Sequence, residues 1–202
     1  MKIYRGLNVS VYLCFLFFIL CSYLEAQKID SINLVLSKTP SLSMKRGEVL
    51  LNLATSFKEK NPNLAFKFAQ ELIEIGLHLK HDPFIFEGKM VVGVENIKKD
   101  DYYSALLNFQ EAKEIAEKYN DSWWKKNLIR ASINISGIYW YINDTSKGLE
   151  TARRTIQVVK SINDSIHLAD SYHSIGLLFG IDKNIDSSKH YLTLAESLYG
   201  KQ

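Results

Sequence analysis

Beyond residue 26 this sequence has no cysteine; Cys14 and Cys21 both lie in the first segment. Disulfides, thiolate nucleophiles and cysteine metal sites are therefore excluded from everything downstream. Glycine (10) and proline (3) are also scarce in the 202 residues, too few for a loop-rich β-sandwich, and their scarcity favours long helices. Charge of one sign is lacking too. The 25 basic and 22 acidic residues give a formal +3, too small and too scattered for nucleic-acid binding. There is no HExxH, no glycine-rich phosphate loop, no CxxC and no serine in a GxSxG elbow. What is present, 47% hydrophobic and 23% charged residues, is the composition of a folded globular chain.

Residues 1–26 read as a signal peptide. Lys2 and Arg5 form a basic start, Val9 to Leu20 an almost unbroken apolar stretch, and Ala26 a small residue before the expected cut at Gln27, with Leu24 three before the cut. Counted from Leu7 to Leu24 the stretch reaches 18 residues, the lower edge of membrane-spanning length, so a retained anchor is the alternative. Lipid attachment is disfavoured, because Cys14 and Cys21 each follow a leucine. Removing Lys2, Arg5 and Glu25 leaves 23 basic and 21 acidic residues in a chain long enough for a continuous core. The expected location is periplasmic or secreted after cleavage, or the inner membrane if the segment stays.

From residue 45 onward a period of about forty residues governs the chain. Segments 52–76, 91–116, 135–159 and 174–198 superpose. A small residue recurs at Ala54, Gly93, Ser136 and Gly176, and a second at Ala65, Ala105, Gly148 and Ser188, with intervals of 40, 43 and 40. Four residues after the second come Ala69, Phe109, Ala152 and Leu192. Apolar residues spaced by three and four within each unit predict two antiparallel helices. The first helices are expected near 45–59, 84–98, 125–142 and 166–181, their partners near 62–80, 101–119, 145–162 and 185–199. The aspartates of His81-Asp82, Asn120-Asp121 and Asn163-Asp164 are expected to cap the helices that follow. Pro62 and Pro83 fall in first-turn positions where a missing amide costs nothing, and Pro40 precedes the first unit. The expected organisation is a signal peptide (1–26), an N-terminal helix and linker (27–44), and a repeat domain (45–202) in units of about 45–82, 83–121, 122–164 and 165–202.

Ala54 with Phe57, Ser136 with Tyr139 and Gly176 with Phe179 place a small residue three before an aromatic, followed by Ala65 and Ala105 in the second helices. In these features the chain resembles tetratricopeptide repeat (TPR) proteins over roughly residues 45–200. Asn96 departs from the motif, standing where the aromatic should be after Gly93, and Gly148 and Ser188 replace the second-helix alanine. The long units and the Asn-Asp junctions look like the secreted or sensor-type TPR proteins of Bacteroidetes-like bacteria. The resemblance implies an all-α fold, a TPR-like α-solenoid of about four helix pairs. Ile29, Ile32, Leu34 and Leu36, followed by the Ser37-Lys38-Thr39-Pro40 break, predict a short preceding helix within 28–44.

No catalytic set emerges. His78 and His81 share a helical face without a third ligand, and Asp100-Asp101 sits in an expected turn. Neither a metal site nor a cofactor is expected. Trp123 and Trp124 open unit three, where at least one should pack on Tyr119. The resemblance implies that first helices line a concave face. Outward-facing positions there are Asn52, Thr55, Met90, Val94, Arg130, Asn134, Gly137, Trp140, Tyr141, His173 and Leu177. Arg130, Asn134 and Tyr141 are spaced by four and seven and share one stripe, with Trp140 at its border. The candidate binding residues are Arg130, Asn134, Trp140, Tyr141 and His173. Two alternatives stay open: the rings of Trp140 and Tyr141 pad the interface with unit four, and His173 is an ordinary surface histidine. A carboxylate clamp of the kind some TPR domains carry is not supported, since Leu51, Thr55 and Val91 stand where its other members belong. The expected function is a non-enzymatic protein- or peptide-binding scaffold with a protein or peptide partner. No nucleic acid is expected, and a membrane only if the N-terminal segment is retained as an anchor. The alternative is the sensor half of a truncated histidine-kinase or helix-turn-helix signalling protein.

Overall fold

A computed structural model describes residues 31–200. The expected cleavage point, the apolar stretch before it and the first residues of the expected preceding helix lie outside the described residues. Among the described residues there is no strand, and no helix is long and apolar enough to cross a membrane. A helical segment, α1, covers residues 31–37. The helices that follow are α2 (Met44–Phe57), α3 (Pro62–Leu79), α4 (Asp82–Ile97), α5 (Tyr102–Glu117), α6 (Ser122–Tyr141), α7 (Thr145–Ser161), α8 (Ser165–Ile181) and α9 (Ile185–Tyr199).

The chain divides into two units, Met1–Val49 and Leu50–Gln202. In the first, the break after α1 is held by local hydrogen bonds. The Thr39 hydroxyl donates to the Leu36 carbonyl at 2.9 Å, and the Arg46 guanidinium donates to the same oxygen at 2.6 Å. In the second unit each helix from α3 onward packs on the next, and α6 also touches α8. That last contact joins the first helices of successive pairs, the relation that lets paired helices stack into a solenoid.

The expected spans agree with the helices to within three residues at either end. α6 starts earliest relative to expectation, at Ser122, because the Asp121 carboxylate accepts from the amides of both Trp123 and Trp124 at 3.0 and 3.1 Å. Five of the turns share one construction. Lys80, Asp100, Asn143, Asn163 and Lys183 all have φ between 53° and 57°, the left-handed region. The next residue in each case is the N-cap of the following helix (His81, Asp101, Asp144, Asp164 and Asn184), and its amide reaches five residues back to a carbonyl at 2.8 to 3.4 Å. This placement corrects one expectation. Asp82 does not cap α4: with Lys80 in the left-handed position the cap falls to His81, which makes no side-chain capping bond. The Asp82 carboxylate accepts from the Tyr119 hydroxyl at 2.9 Å and from Lys118 at 3.3 Å instead.

The recurring small residues sit where helices cross. Ala54, Ala65, Ala69 and Ala105 are fully buried. A Cβ added at Gly93 would lie 2.5 Å from the Phe109 ring, and one at Gly176 would lie 2.7 Å from Leu192. The large residue of each of these units thus occupies the space its glycine leaves. Serine takes the crossing position in the other arrangement: the Ser136 hydroxyl donates to the Gly148 carbonyl at 3.1 Å and Ser188 to that of Gly176 at 2.8 Å. Phe86, Phe109, Trp124, Ile135 and Ile138 form the main core, with Tyr139 half-buried against it. Trp124 stacks on Tyr119 at 4.5 Å and meets Phe86 edge-on at 5.8 Å, a geometry favourable to aromatic pairs.

Candidate ligand groove

The first helices α4, α6 and α8 and the end of α2 enclose a cavity of about 260 Å³. Its apolar wall is Met90, Val91 and Val94 of α4 and Ile133 of α6. Ile133, which the apolar spacing alone places with the core, faces this cavity instead. The polar wall includes Glu87, Glu95, Arg130, Asn134 and Asp170. One turn further along α6, a second cavity of about 320 Å³ is lined by Ser136, Gly137, Trp140 and Tyr141 together with Ser174 and Leu177 of α8. The candidate stripe of α6 therefore fronts two cavities in succession, Arg130 and Asn134 on the first, Trp140 and Tyr141 on the second.

Arg130 is not a free cation. Its guanidinium grips Glu87 with two bonds, at 2.7 and 3.2 Å, donates to Asn127 at 2.7 Å and lies over the Phe86 ring at 5.6 Å. A fork engaged in this way is held for Glu87 and not for a ligand carboxylate. Asn134 turns one amide hydrogen to the Arg130 carbonyl at 3.0 Å. Tyr141, 45% exposed, stacks on Tyr102 of unit two at 4.8 Å with the rings 14° apart, and Trp140 meets Tyr141 edge-on at 4.9 Å. Tyr141 is thus braced by unit two, while both rings share a cavity with unit four. His173 is exposed and lines neither cavity.

Glu87, Arg130 and Asp170 are separated by 43 and 40, the intervals of the repeat itself. They are one register position in three successive first helices, an acid, a base and an acid in a row. The base pairs with Glu87. Asp170 has no cation within ion-pairing distance among the described residues; it accepts from the Tyr199 hydroxyl at 2.5 Å. Burial, followed by this hydrogen bond, pushes the Tyr199 phenol up to about 12, so it stays protonated and donating. Glu95, like Glu87 and Asp170, is a cavity residue that motif and spacing do not single out. It is fully buried, with one carboxylate oxygen 3.1 Å from Lys98 and the other without a partner. Lys98 also donates to the Lys58 carbonyl, tying the end of α2 to α4. All three acids are within reach of the period: adding 43 and then 40 to residue 87 or 95 exposes the charge ladder and the odd carboxylate alike.

A third cavity, about 280 Å³, lies between α5, α6 and α7, with Gln110, Ser132, Tyr139 and Thr155 in its walls. Its flanking cations, Lys113 and Arg154, are paired one helical turn away with Glu117 and Glu150.

No protein-family model matches the chain, and no curated protein does. Among solved structures it is similar to the crystal structure of MamA, at 20% identity over 86% of this chain and 87% of that one, with a TM-score of 0.61. A second crystal structure of MamA protein is similar at 20% identity over 77% of this chain and 74% of that one, with a TM-score of 0.55. MamA is a TPR-like helical protein. The likeness is one of fold, and with the paired helices described above it makes this chain an all-α protein, a TPR-like α-solenoid.

Proposed function

We propose that this chain is a non-enzymatic scaffold that binds an extended protein or peptide segment in the groove fronted by α6. The observation that carries the reading is the pair of cavities along one helical stripe, with Arg130 and Asn134 on one and Trp140 and Tyr141 on the next. Two successive cavities suit two side chains of one segment, and aromatic rings supply contact area at small entropic cost. Arg130 serves by shaping the wall with Glu87, and His173 has no part in the groove. The basic start, apolar stretch and Ala26 support export, to the periplasm or the exterior. Intact-mass measurement of the exported product tests that point: a product beginning at Gln27 agrees, and one retaining residues 1–26 does not. The binding reading is tested by retention of partner on the immobilised chain. The double change Asn134→Ala, Trp140→Ala is expected to weaken retention by about 2 kcal/mol or more if these residues are a hot spot, with the melting temperature moving little. Unchanged retention in a variant that melts much earlier would assign both residues to packing and sink the proposal.

A further inference from the structure

We infer that the cavity between α2, α4, α6 and α8 is a subsite for a basic side chain, the ammonium or guanidinium of a lysine or arginine carried by the bound segment. The inference rests on the peptide-binding reading above and names its chemistry.

The first ground is a residue that folding alone would not choose. In the repeat register Glu95 corresponds to Ile138 and Leu178, both fully buried and apolar. Unit two puts a carboxylate where its successors put core hydrocarbon. A buried carboxylate is costly unless its acceptor sites are filled, and Lys98 fills only one oxygen of Glu95. The unpartnered oxygen belongs to a residue that lines the cavity.

The second ground is the charge ladder. Two acids and one base share the register position, the base is held by Glu87, and Asp170 keeps acceptor capacity beyond its bond from Tyr199. Lys58, at the α2 rim, is exposed to water. His167, also in the wall, is held through Nδ1 by Asp164 at 2.8 Å. Among the charged groups of the cavity the acceptors left unfilled are thus carboxylate oxygens of Glu95 and Asp170, and the groups that satisfy them best are cationic donors. Met90, Val94 and Ile133 between them suit the aliphatic stem of a lysine or arginine, whose head alone needs polar partners. An acidic segment or a free terminal carboxylate would meet Glu87, Glu95 and Asp170, with the one groove arginine engaged and Lys58 alone, at the water-exposed rim, to offset them.

The test pans random nonapeptides displayed on phage against the purified full-length chain. The expected result is enrichment of lysine or arginine at one position of the selected peptides. Replacing that residue by leucine should weaken a selected peptide at least tenfold. Asp170→Asn, which still accepts from Tyr199, and Glu95→Leu, which restores the apolar residue type of units three and four, should each weaken the unchanged peptide tenfold or more. Glu95→Leu should melt no earlier than the parent chain. Selected peptides without basic preference, or a basic peptide indifferent to both variants, overturn the subsite and leave the peptide reading standing. Absence of any enriched sequence overturns both. If Glu95→Leu fails to fold, Asp170→Asn alone decides.

Discussion

Gly137 stands on α6 with open space around it: an added Cβ would meet nothing within 4 Å. Its neighbour in type, Gly88, is confined, since a Cβ there would lie 2.6 Å from Ile73 and 2.9 Å from the Ala69 carbonyl. The same substitution should therefore have opposite signs at the two sites. Gly137→Ala is expected to raise stability by about 0.5–1 kcal/mol through helix propensity, and Gly88→Ala to lower it by roughly 1–3 kcal/mol through overpacking against backbone. Urea unfolding of both variants measures this. Gly137→Ala also narrows the second cavity, so a stabler chain that binds its partner less well is the expected combination. Backbone strain is visible at Lys80, whose φ of 53° an L-residue with a Cβ adopts reluctantly. Lys80→Gly should stabilise by about 1 kcal/mol, and the β-branched Lys80→Val should destabilise; equal midpoints for the two would refute the assignment. At this scale the sequence was only partly legible. The stripe from Arg130 to Tyr141 follows from spacing alone, but lysine carries no turn signature, so neither the left-handed Lys80 nor the cap position it moves from Asp82 to His81 is legible. Arg130's engagement needed a partner from another helix, which no spacing within α6 reveals.

Six helices, α3 and α5 to α9, begin with a side chain doing the same work. Asn61, Asp101, Asp121, Asp144, Asp164 and Asn184 all accept from amides in the first turn of the helix they precede. Such caps end the competition between helix and turn by satisfying otherwise orphaned donors. They also make stability depend on pH. Hydrogen bonds from Ser104 hold the Asp101 carboxyl below its usual value, and those from Lys147 do the same for Asp144. At Asp164 burial pushes the carboxyl up, but the backbone and ring of His167 outweigh it and the net direction is down. A carboxyl depressed in the folded state stabilises fully above its unfolded value, about 3.9, and the contribution is lost as pH falls through the folded one. Stability should thus be level above about pH 5 and decline as pH drops below about 4. The triple variant Asp101→Asn, Asp144→Asn, Asp164→Asn keeps cap acceptors that do not titrate, so its acid limb should be flatter in melting curves taken from pH 7 to 3. An unchanged limb would place the sensitivity elsewhere. The element boundaries were legible because these caps and the apolar spacing point to the same residues. The start of α6 moved only because Asp121 captures two amides at once.

Across the chain from Leu50 to Gln202 the helices are not equally secured. Trp124 is nearly buried among Tyr119, Trp123 and Phe86, and it joins unit two to unit three at the interval of 43, the one place where the period lengthens. Trp124→Ala should cost about 3–5 kcal/mol. Because repeat arrays are stabilised by neighbour interfaces, the single unfolding transition should then separate into two, seen by calorimetry; one sharp transition at a lower midpoint would mean the array still melts as a whole. By contrast α9 has one fully buried side chain, Ala195, and its amides should exchange with solvent sooner than those of α4 or α6. The architecture was legible because four units in register amplify a signal that each carries weakly. The groove chemistry was less so, since it lies in departures from the register. The five alike turns carry a consequence for how such a chain changes length. They fall within units as well as between them, at Asn143, Asn163 and Lys183 in steps of 20, and each places a left-handed residue directly before a cap. Excising residues 144–183 would join Asn143 to Asn184, again a left-handed residue followed by a cap, and remove one helix pair without composing a new junction. A chain of this kind can shorten or lengthen by 40 residues there while each junction remains a left-handed residue followed by a cap, a turn it already makes.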